Sequence, residues 1–253
     1  MGVSVDLTGR RVLVTGASSG IGAAVCRSIV GCGGAVAMVA RRKERLAGLV
    51  TELGERAAAV PGDVTDLDGL DGLVAEAADQ LGGLDGLVAV AGRTMVGTIA
   101  SGTPERWRAL LDLNLVAPLA TVRATLGHFA PAGRRDVVLV GSAGGITAMP
   151  GTGIYGASKR GLRAAFESLR FELAPSGVST GLVMPGMFET EGLTLEGLEI
   201  DGEVPPNDFP VLVPGAVPGD PAVVGDMVAF MIGLPEGVSI NELVVRPTGE
   251  LNP

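Results

Sequence analysis

Short, almost uninterrupted apolar runs alternate with longer amphipathic stretches along this 253-residue chain. RVLVT at 11–15 and AVAMVA at 35–40 are examples of the apolar runs. A strand that is apolar at nearly every position is covered on both faces, which is typical of parallel sheets. The alternation therefore predicts an α/β fold of the Rossmann type, a doubly wound parallel sheet of about seven strands with helices on both faces.

The pattern assigns bounds to each element. The predicted strands are Arg11–Thr15, Ala35–Ala40, Ala57–Val60, Leu84–Val90, Asp136–Gly141, Val178–Met184 and Glu242–Arg246. The predicted helices are Ile21–Cys32, Arg42–Leu53, Leu67–Leu81, Pro104–Phe129, Tyr155–Leu173 and Pro221–Ile232. The helix over Pro104–Phe129 is expected to bend near Pro118, because proline lacks the amide donor that a helical turn needs.

The composition narrows the class of protein. Hydrophobic residues make up 47% of the chain and charged residues 19%, which supports a large core and argues against disorder. The formal net charge of −9 argues against nucleic-acid binding, which needs a basic face. We expect one domain over residues 1–253, in which the proline-rich stretch 187–218 forms a substrate loop or lid.

Two cysteines, Cys26 and Cys32, lie in one predicted helix, but their spacing places them on different faces. Small buried thiols in a reduced cytoplasm are the simplest interpretation. The chain shows no apolar stretch of 18 uncharged residues without a glycine or proline, so we expect no membrane span. His128 is the only histidine, and no residues lie at metal-ligand spacing, so we expect no metal site.

A glycine-rich turn follows the first predicted strand. Its residues that would contact a cofactor are Gly16, Ser18, Ser19, Gly20, Ile21 and Gly22. Such a turn lets the backbone approach a dinucleotide pyrophosphate at the N-terminus of the next helix, although any strand-to-helix turn can contain glycine. The spacing T-G-x-x-x-G-x-G resembles the short-chain dehydrogenase/reductase family, in its single-domain branch of similar length. The resemblance extends from about residue 7 to residue 247.

The end of the second predicted strand bears on the choice of cofactor. No carboxylate stands there to bind the ribose 2′-hydroxyl of NAD, whereas Arg41 and Arg42 suit a 2′-phosphate. This is similar to the family's NADP-preferring pattern, with Arg41 as the main candidate; a solvated helix start is the alternative for both. Asp63 and Val64 resemble the family's adenine-contacting pair, although Asp63 can equally be a turn or cap residue.

Tyr155 and Lys159 form the strongest motif. They are four residues apart and so share one face of a helix, where an ammonium lowers the pKa of a nearby phenol and prepares it for acid–base chemistry. Tyr155 is the only tyrosine in the chain. Ser142, at the end of the fifth predicted strand, is suited to bind a substrate oxygen, with a plain turn or cap serine as the alternative.

The resemblance implies further residues. Asn114, Ser142, Tyr155 and Lys159 match the family tetrad, and Asn114 would hold a water in the proton relay. Pro185, Gly186 and Thr190 match the segment that contacts the nicotinamide carboxamide, and Ala91 and Gly92 match the approach to the cofactor ribose. The chain departs from the family at Val90, where an asparagine is usual, and we expect a compromise in packing there.

The expected function is that of an NADP(H)-dependent ketoreductase acting on a neutral or apolar carbonyl compound. Substrate contacts are expected from Ser142, Gly144, Met149, Met187 and Phe188. The substrate loop contains no arginine or lysine to bind a carboxylate or phosphate. An NAD-dependent alcohol dehydrogenase and a non-enzymatic NADP(H) sensor are the two alternatives. The resemblance also implies a homodimer or homotetramer.

Overall fold

Seven parallel strands form one sheet in the computed structural model, which describes residues 5–131, 133–191, 199–204 and 215–251. The strands are β1 (Arg11–Thr15), β2 (Ala35–Ala40), β3 (Ala57–Pro61), β4 (Gly86–Ala89), β6 (Arg135–Val140), β7 (Val178–Pro185) and β9 (Glu242–Val245), in the order β3-β2-β1-β4-β6-β7-β9. Two further strands, β5 (Met95–Val96) and β8 (Glu199–Ile200), pair with each other. The predicted doubly wound sheet is confirmed.

Helices cover both faces of the sheet. They are α1 (Gly20–Gly31), α2 (Lys43–Leu53), α3 (Leu70–Leu81), α4 (Pro104–Leu111), α5 (Ala117–Leu126), α6 (Gly153–Leu173) and α7 (Pro221–Ile232). Buried side chains of α1, α2 and α7 pack on one face, among them Ile29, Leu46 and Val228. Those of α3, α5 and α6 pack on the other, among them Val74 and Leu162. Because helices cover both faces of the sheet, most strand side chains are buried and apolar, as the sequence predicted.

The pair β5–β8 was not predicted. It joins the segment after β4 to the described part of the stretch 187–218, of which residues 192–198 and 205–214 lie outside the described residues. Next to this pair, the carboxylate of Asp201 accepts hydrogen bonds from the backbone N–H and the hydroxyl of Thr103, at 2.9 and 3.0 Å. A Cβ on Gly97 would lie 1.8 Å from the carbonyl oxygen of Asp201. Residues 199–202 are thus packed closely onto the loop between β4 and α4.

Near Pro118, where a bend was predicted, the helix is irregular. The predicted helix Pro104–Phe129 is interrupted by a π-helical turn over Asp112–Val116, and α5 then ends at Leu126. Pro118 lacks an N–H, so it cannot donate to the carbonyl four residues earlier, which belongs to Asn114. At the end of this turn the N–H of Ala117 donates to the carbonyl of Asp112, five residues back. The effect of the proline is therefore felt one turn upstream, around Asn114.

By length and composition alone, Pro104–Leu126 is long and apolar enough to cross a membrane, with a mean hydropathy of 1.3. The core helices of soluble proteins meet the same criterion. In this fold Leu110, Ala117 and Val122 of the stretch are buried, and α5 lies next to α3 and α6 on one face of the sheet. The stretch is therefore a core element of the fold described here.

A buried ion cluster lies at the edge of the sheet where the strands begin. The carboxylate of Asp136 is 4% exposed and accepts hydrogen bonds from Arg10, at 2.7 Å, and from Arg134, at 2.6 and 2.9 Å. Arg10 also donates to the carbonyl of Ile232 at the end of α7. Burial raises the pKa of Asp136 even though both guanidinium groups act to lower it. The cluster connects β6 to α7 far from the carboxyl ends of the strands.

We predict that Asp136→Asn lowers the free energy of unfolding by about 2–4 kcal/mol, because it leaves two guanidinium groups without their buried counter-charge. Urea denaturation followed by circular dichroism measures the change. Glu52→Gln is the matched control, because the Arg27–Glu52 pair is about half exposed, and its loss should change stability by less than about 1 kcal/mol. Equal losses in the two variants would contradict this account of the cluster.

Candidate active site

A cleft opens at the carboxyl ends of β1, β4, β6 and β7, the edge of a parallel sheet where ligands bind. Residues from the glycine turn, the segment after β4, the end of β6, helix α6 and the segment after β7 line it. They are Gly16, Ser19, Gly20, Ile21, Gly22, Val90, Ala91, Gly92, Arg93, Thr94, Val140, Gly141, Tyr155, Lys159, Thr190 and Glu191. Ten of the sequence-predicted site residues therefore meet in one cleft.

The glycine turn has little room for side chains. Gly16 has a φ of +67°, and a Cβ there would lie 2.8 Å from Cα of Ala91. A Cβ on Gly22 would lie 2.2 Å from the carbonyl oxygen of Gly16. The first turn of α1 contains no acidic residue, and its N-cap Ser19 makes no side-chain cap hydrogen bond. The N-terminus of α1 can therefore receive an anion.

Tyr155 lies at the start of α6 beside the end of β6. The side chains of Ser142 and Thr94 lie beside its hydroxyl and act to lower its pKa. Ser142 Oγ also accepts from the N–H of Gly144, at 3.1 Å. A Cβ on Gly144 would lie 3.1 Å from the ring of Tyr155, so glycine lets the ring lie against the backbone. Tyr155 and Ser142 are thus close neighbours, as a shared substrate oxygen would require.

Lys159 lies one turn further along α6 and is 5% exposed. Its ammonium donates to the carbonyl of Val140, at 3.2 Å. A Cβ on Gly92 would lie 3.3 Å from Lys159 Nζ and 3.1 Å from Asn114 Oδ1. Gly92 is therefore the point where the end of β4, the π turn and α6 come together.

Asn114 is completely buried in the π turn. Its Oδ1 accepts from the N–H of Arg93, at 3.0 Å, and its Nδ2 donates to the carbonyl of Arg93, at 2.9 Å. Nδ2 also donates to Ser158 Oγ, at 3.1 Å. Both amide N–H groups of Asn114 are thus used, and its oxygen accepts one hydrogen bond.

Burial is the largest influence on the pKa values of Tyr155 and Lys159 in the protein without a ligand. It raises the pKa of Tyr155, against the side chains of Ser142 and Thr94, which lower it. It lowers the pKa of Lys159 to about 8. The sequence argument expected the ammonium to lower the pKa of the phenol. In this structure the loss of solvent around Tyr155 outweighs any such effect.

Val90 stands where the family usually has asparagine, and a neighbouring hydroxyl takes over part of the connection between strands. Thr15 Oγ1, at the end of β1, accepts from the N–H groups of Val90 and Ala91, both at 3.2 Å. The side chain of Val90 packs against the apolar core on the α1 face. The ends of β1 and β4 are thus held together through Thr15.

The two arginines after β2 have different partners. The guanidinium of Arg41 is 75% exposed and lies 3.7 Å from the carboxylate of Asp63. Asp63 also accepts from the N–H and hydroxyl of Thr65, and Val64 is buried. Arg42 turns to the glycine turn, where it donates to Ser18 Oγ at 2.9 and 3.1 Å and to Ser19 Oγ at 2.5 Å.

The segment after β7 is anchored at several points. Pro185 ends the strand, and the N–H of Gly186 donates to the carbonyl of Val245. The N–H of Met187 donates to the carboxylate of Glu250, at 2.8 Å. Thr190 comes back to the glycine turn, where its Cγ2 would lie 3.1 Å from a Cβ on Gly20.

Two predicted substrate contacts have different surroundings. Phe188 is 3% exposed, and a Cβ on Gly219 would lie 2.7 Å from its ring. It belongs to the core on the α1 and α7 face, which does not support a contact with substrate. The backbone of Met149 is bonded to Thr152 in the turn before α6, and its side chain is half-buried.

The sequence argument missed several residues at this edge. Thr94 lies two residues after Gly92, and this closeness to a predicted cofactor-binding residue could have indicated a place in the site. Glu191 pairs with Arg42 and Arg45, which lie 149 and 146 residues away in the sequence, and Glu250 accepts from Met187, 63 residues away. No local sequence pattern reveals contacts over such separations. Within the described residues, no group of three or more histidine, cysteine, aspartate or glutamate side chains could hold a metal ion.

A family model described as short chain dehydrogenase matches residues 10–197, which confirms the resemblance. Glycine betaine reductase ATRR of Emericella nidulans is 33% identical over 252 residues, covering 96% of this chain and 19% of that protein. This chain therefore spans only about a fifth of the length of that relative.

Solved structures share the fold over nearly the whole chain. A dehydrogenase/reductase from Sinorhizobium meliloti 1021 has a TM-score of 0.83 and 28% identity, with 96% of both chains covered. A short chain dehydrogenase from Burkholderia cenocepacia J2315, in complex with NADP, has a TM-score of 0.81 and 30% identity. The match covers 95% of this chain and 97% of that one.

We predict that Lys159→Met stabilises the protein near neutral pH. The folded-state pKa of about 8 lies below the ordinary 10.5, so the cost of burying the ammonium is full below pH 8 and is lost as the pH rises towards 10.5. The variant should be more stable by about 1–3 kcal/mol at pH 7, and this difference should shrink towards pH 10. Urea denaturation of both proteins at several pH values tests this; a difference independent of pH would contradict it.

Proposed function

This chain belongs to the short-chain dehydrogenase family, and on that premise we propose that it is an NADP(H)-dependent oxidoreductase that interconverts a carbonyl and a secondary alcohol, working as a ketoreductase. The observation that carries the proposal is the neighbouring pair of Tyr155 and Ser142, with Lys159 one helical turn away. All three lie at the carboxyl edge of the sheet.

The residues around the glycine turn fit a dinucleotide. A Cβ at Gly16 or Gly22 would overlap the backbone of Ala91 or of Gly16, so only glycine permits the tight turn that brings the backbone close to a pyrophosphate. The N-terminus of α1 would face the pyrophosphate, while Ala91, Gly92 and Lys159 would face the ribose of the nicotinamide. Pro185, Gly186 and Thr190 would contact the carboxamide. When bound, the nicotinamide supplies or accepts the hydride.

The preference for NADP(H) is proposed from charge. Arg41 and Arg42 follow β2 without a carboxylate that would bind a ribose 2′-hydroxyl, and guanidinium groups match phosphate geometry. Arg42 already donates hydrogen bonds to the hydroxyls of Ser18 and Ser19 in the glycine turn. Asp63 and Val64 would line the adenine side. The NADP in the Burkholderia cenocepacia structure supports this choice.

The chain's own residues would supply the proton and orient the substrate. Ser142 and Tyr155 would both bind the substrate oxygen, and Tyr155 would donate its proton to that oxygen as the alcohol forms. The Lys159 ammonium would hold the ribose and stabilise the phenolate that remains.

Reprotonation of Tyr155 would use a water that is held by the main-chain carbonyl of Asn114. Because Pro118 has no N–H, the carbonyl of Asn114 has no helical donor four residues later and can accept from water. A water held there would connect Lys159 with solvent. The π turn thus has a direct chemical use.

The substrate class follows from the surroundings of the site. The stretch 187–218 has no basic side chain to bind an anionic group, which favours a neutral or apolar carbonyl compound. Gly144, Met149 and Met187 would contribute to its binding, whereas Phe188 is part of the core. The reductive direction is supported by the reduced state of the cellular NADPH pool and by the name of the Emericella nidulans relative. We further propose a cytoplasmic homodimer or homotetramer.

The proposal predicts that the protein oxidises NADPH when it is supplied with neutral ketones or aldehydes, and that Tyr155→Phe lowers kcat by about 10²–10⁴-fold. Absorbance at 340 nm measures turnover, and NADPH fluorescence measures binding. The variant should keep most of its affinity for NADPH, because it loses only a hydroxyl.

Three outcomes would contradict the proposal. Faster turnover with NADH would favour the NAD-dependent alcohol dehydrogenase. Tight NADPH binding without turnover on any carbonyl would favour the sensor. Unchanged kcat in Tyr155→Phe would remove Tyr155 from the chemistry.

A further inference from the structure

One carboxylate bridges two guanidinium groups beside the cofactor cleft. Glu191 Oε2 accepts from Arg42, at 2.8 Å, and Glu191 Oε1 accepts from Arg45 of helix α2. Arg42 and Arg45 come from the end of β2 and the start of α2, whereas Glu191 comes from the segment after β7. The bridge therefore connects the start of α2 to the segment after β7, and its carboxylate lines the cleft.

The bridge uses the groups that would recognise a phosphate. Arg42 Nη2 and Nε lie on the hydroxyls of Ser18 and Ser19, so two guanidinium groups and two hydroxyls converge at the glycine turn. Glu191 is the anion that lies in this arrangement, and two carboxylate oxygens on two guanidinium groups imitate the contacts of a phosphate. The structure thus contains its own stand-in ion at the position proposed for a 2′-phosphate.

The neighbouring backbone holds Glu191 over the cleft. The N–H of Glu189 donates to the carbonyl of Gly219, at 2.8 Å, and Thr190 lies against Gly20. Glu191 itself lines the cleft together with Ser19 and Ile21. A dinucleotide on the glycine turn would meet this carboxylate directly.

The charge of Glu191 does not depend on pH in the physiological range. Hydrogen bonds from Arg42 and Arg45 lower its pKa to about 2. Protonation therefore does not release the bridge near neutral pH, and only another anion can replace the carboxylate on the guanidinium groups.

We propose that Glu191 is a built-in competitor for the 2′-phosphate of NADP(H), and that Arg45 is a phosphate-binding residue together with Arg42. This inference rests on the proposed preference for NADP(H). The 2′-phosphate displaces Glu191 because it carries more negative charge and more acceptor oxygens. NADH has no such group, so it leaves the bridge in place. Glu191 thereby sets the affinity for NADPH without setting that for NADH.

The test is the dissociation constant of NADPH, NADH and adenosine 2′,5′-bisphosphate for the wild-type protein, Glu191→Gln and Glu189→Gln. Glu189→Gln is the matched control, because it removes the same charge two residues away. Glu191→Gln should tighten NADPH and the bisphosphate by about three- to tenfold, while the NADH value should change by less than about twofold. Glu189→Gln should affect the three ligands alike.

Arg45→Ala, alone and combined with Glu191→Gln, tests the second half of the proposal. Arg45→Ala should weaken NADPH by about tenfold and leave NADH unchanged. The gain from Glu191→Gln should be smaller in the Arg45→Ala background, because half of the bridge is already gone. Additive effects would show that the two side chains act independently and would overturn the competition.

The outcomes separate this inference from the proposed function. If the wild type prefers NADPH but Glu191→Gln leaves its affinity unchanged or weaker, the competitor is overturned and the cofactor preference stands. If NADH binds as tightly as NADPH in the wild type and in Glu191→Gln alike, both are overturned. An equal gain for NADPH and NADH would show general repulsion of the pyrophosphate and would also overturn the inference.

Discussion

The buried amide of Asn114 joins three segments that the site needs. Its oxygen and nitrogen pair with both backbone groups of Arg93, and the nitrogen also reaches Ser158 of α6. A neutral amide is stable at 0% exposure only when its donors and acceptor are bonded, and here they are. These bonds fix the backbone after β4 against the π turn and against α6. Gly92, Lys159 and Tyr155 depend on that arrangement for their positions.

The site carries an energetic cost that other parts of the fold offset. The buried ammonium of Lys159 donates to the carbonyl of Val140, and burial raises the pKa of Tyr155. Charges away from the cleft are more completely paired, as in the Asp136 cluster with Arg10 and Arg134. Unfavourable burial is thus concentrated where a nicotinamide ribose and a substrate would bind. This distribution is expected of a site whose residues are arranged to stabilise a bound ligand, at a cost to the stability of the protein alone.

The sequence predicted what is encoded locally. All seven strands of the main sheet were predicted within two or three residues, because each is a continuous apolar run that ends in a turn. The motif residues of the glycine turn, together with Tyr155 and Lys159, also meet in one cleft as expected. The π turn was missed because the proline shows which helical hydrogen bond is lost but not how the backbone before it rearranges.

Long-range contacts escaped the sequence argument for a different reason. The strand pair β5–β8, the bond of Met187 to Glu250 and the Glu191 bridge each join segments that no periodicity relates. Phe188 shows the same limit, since its position next to the carboxamide segment indicated a substrate contact, but its ring is in the core. Local pattern identifies the chemistry here, and the tertiary fold decides which neighbours modify it.

A crystal structure of the protein grown with NADPH would test the central claim most directly. The account predicts the 2′-phosphate on Arg41 and Arg42, the pyrophosphate at the N-terminus of α1 and the nicotinamide ribose beside Lys159 and Tyr155. Electron density for the dinucleotide elsewhere would contradict it, as would a nicotinamide ring far from Tyr155. Either result would separate the proposed proton donor from the hydride and leave Tyr155 and Ser142 without the proposed role.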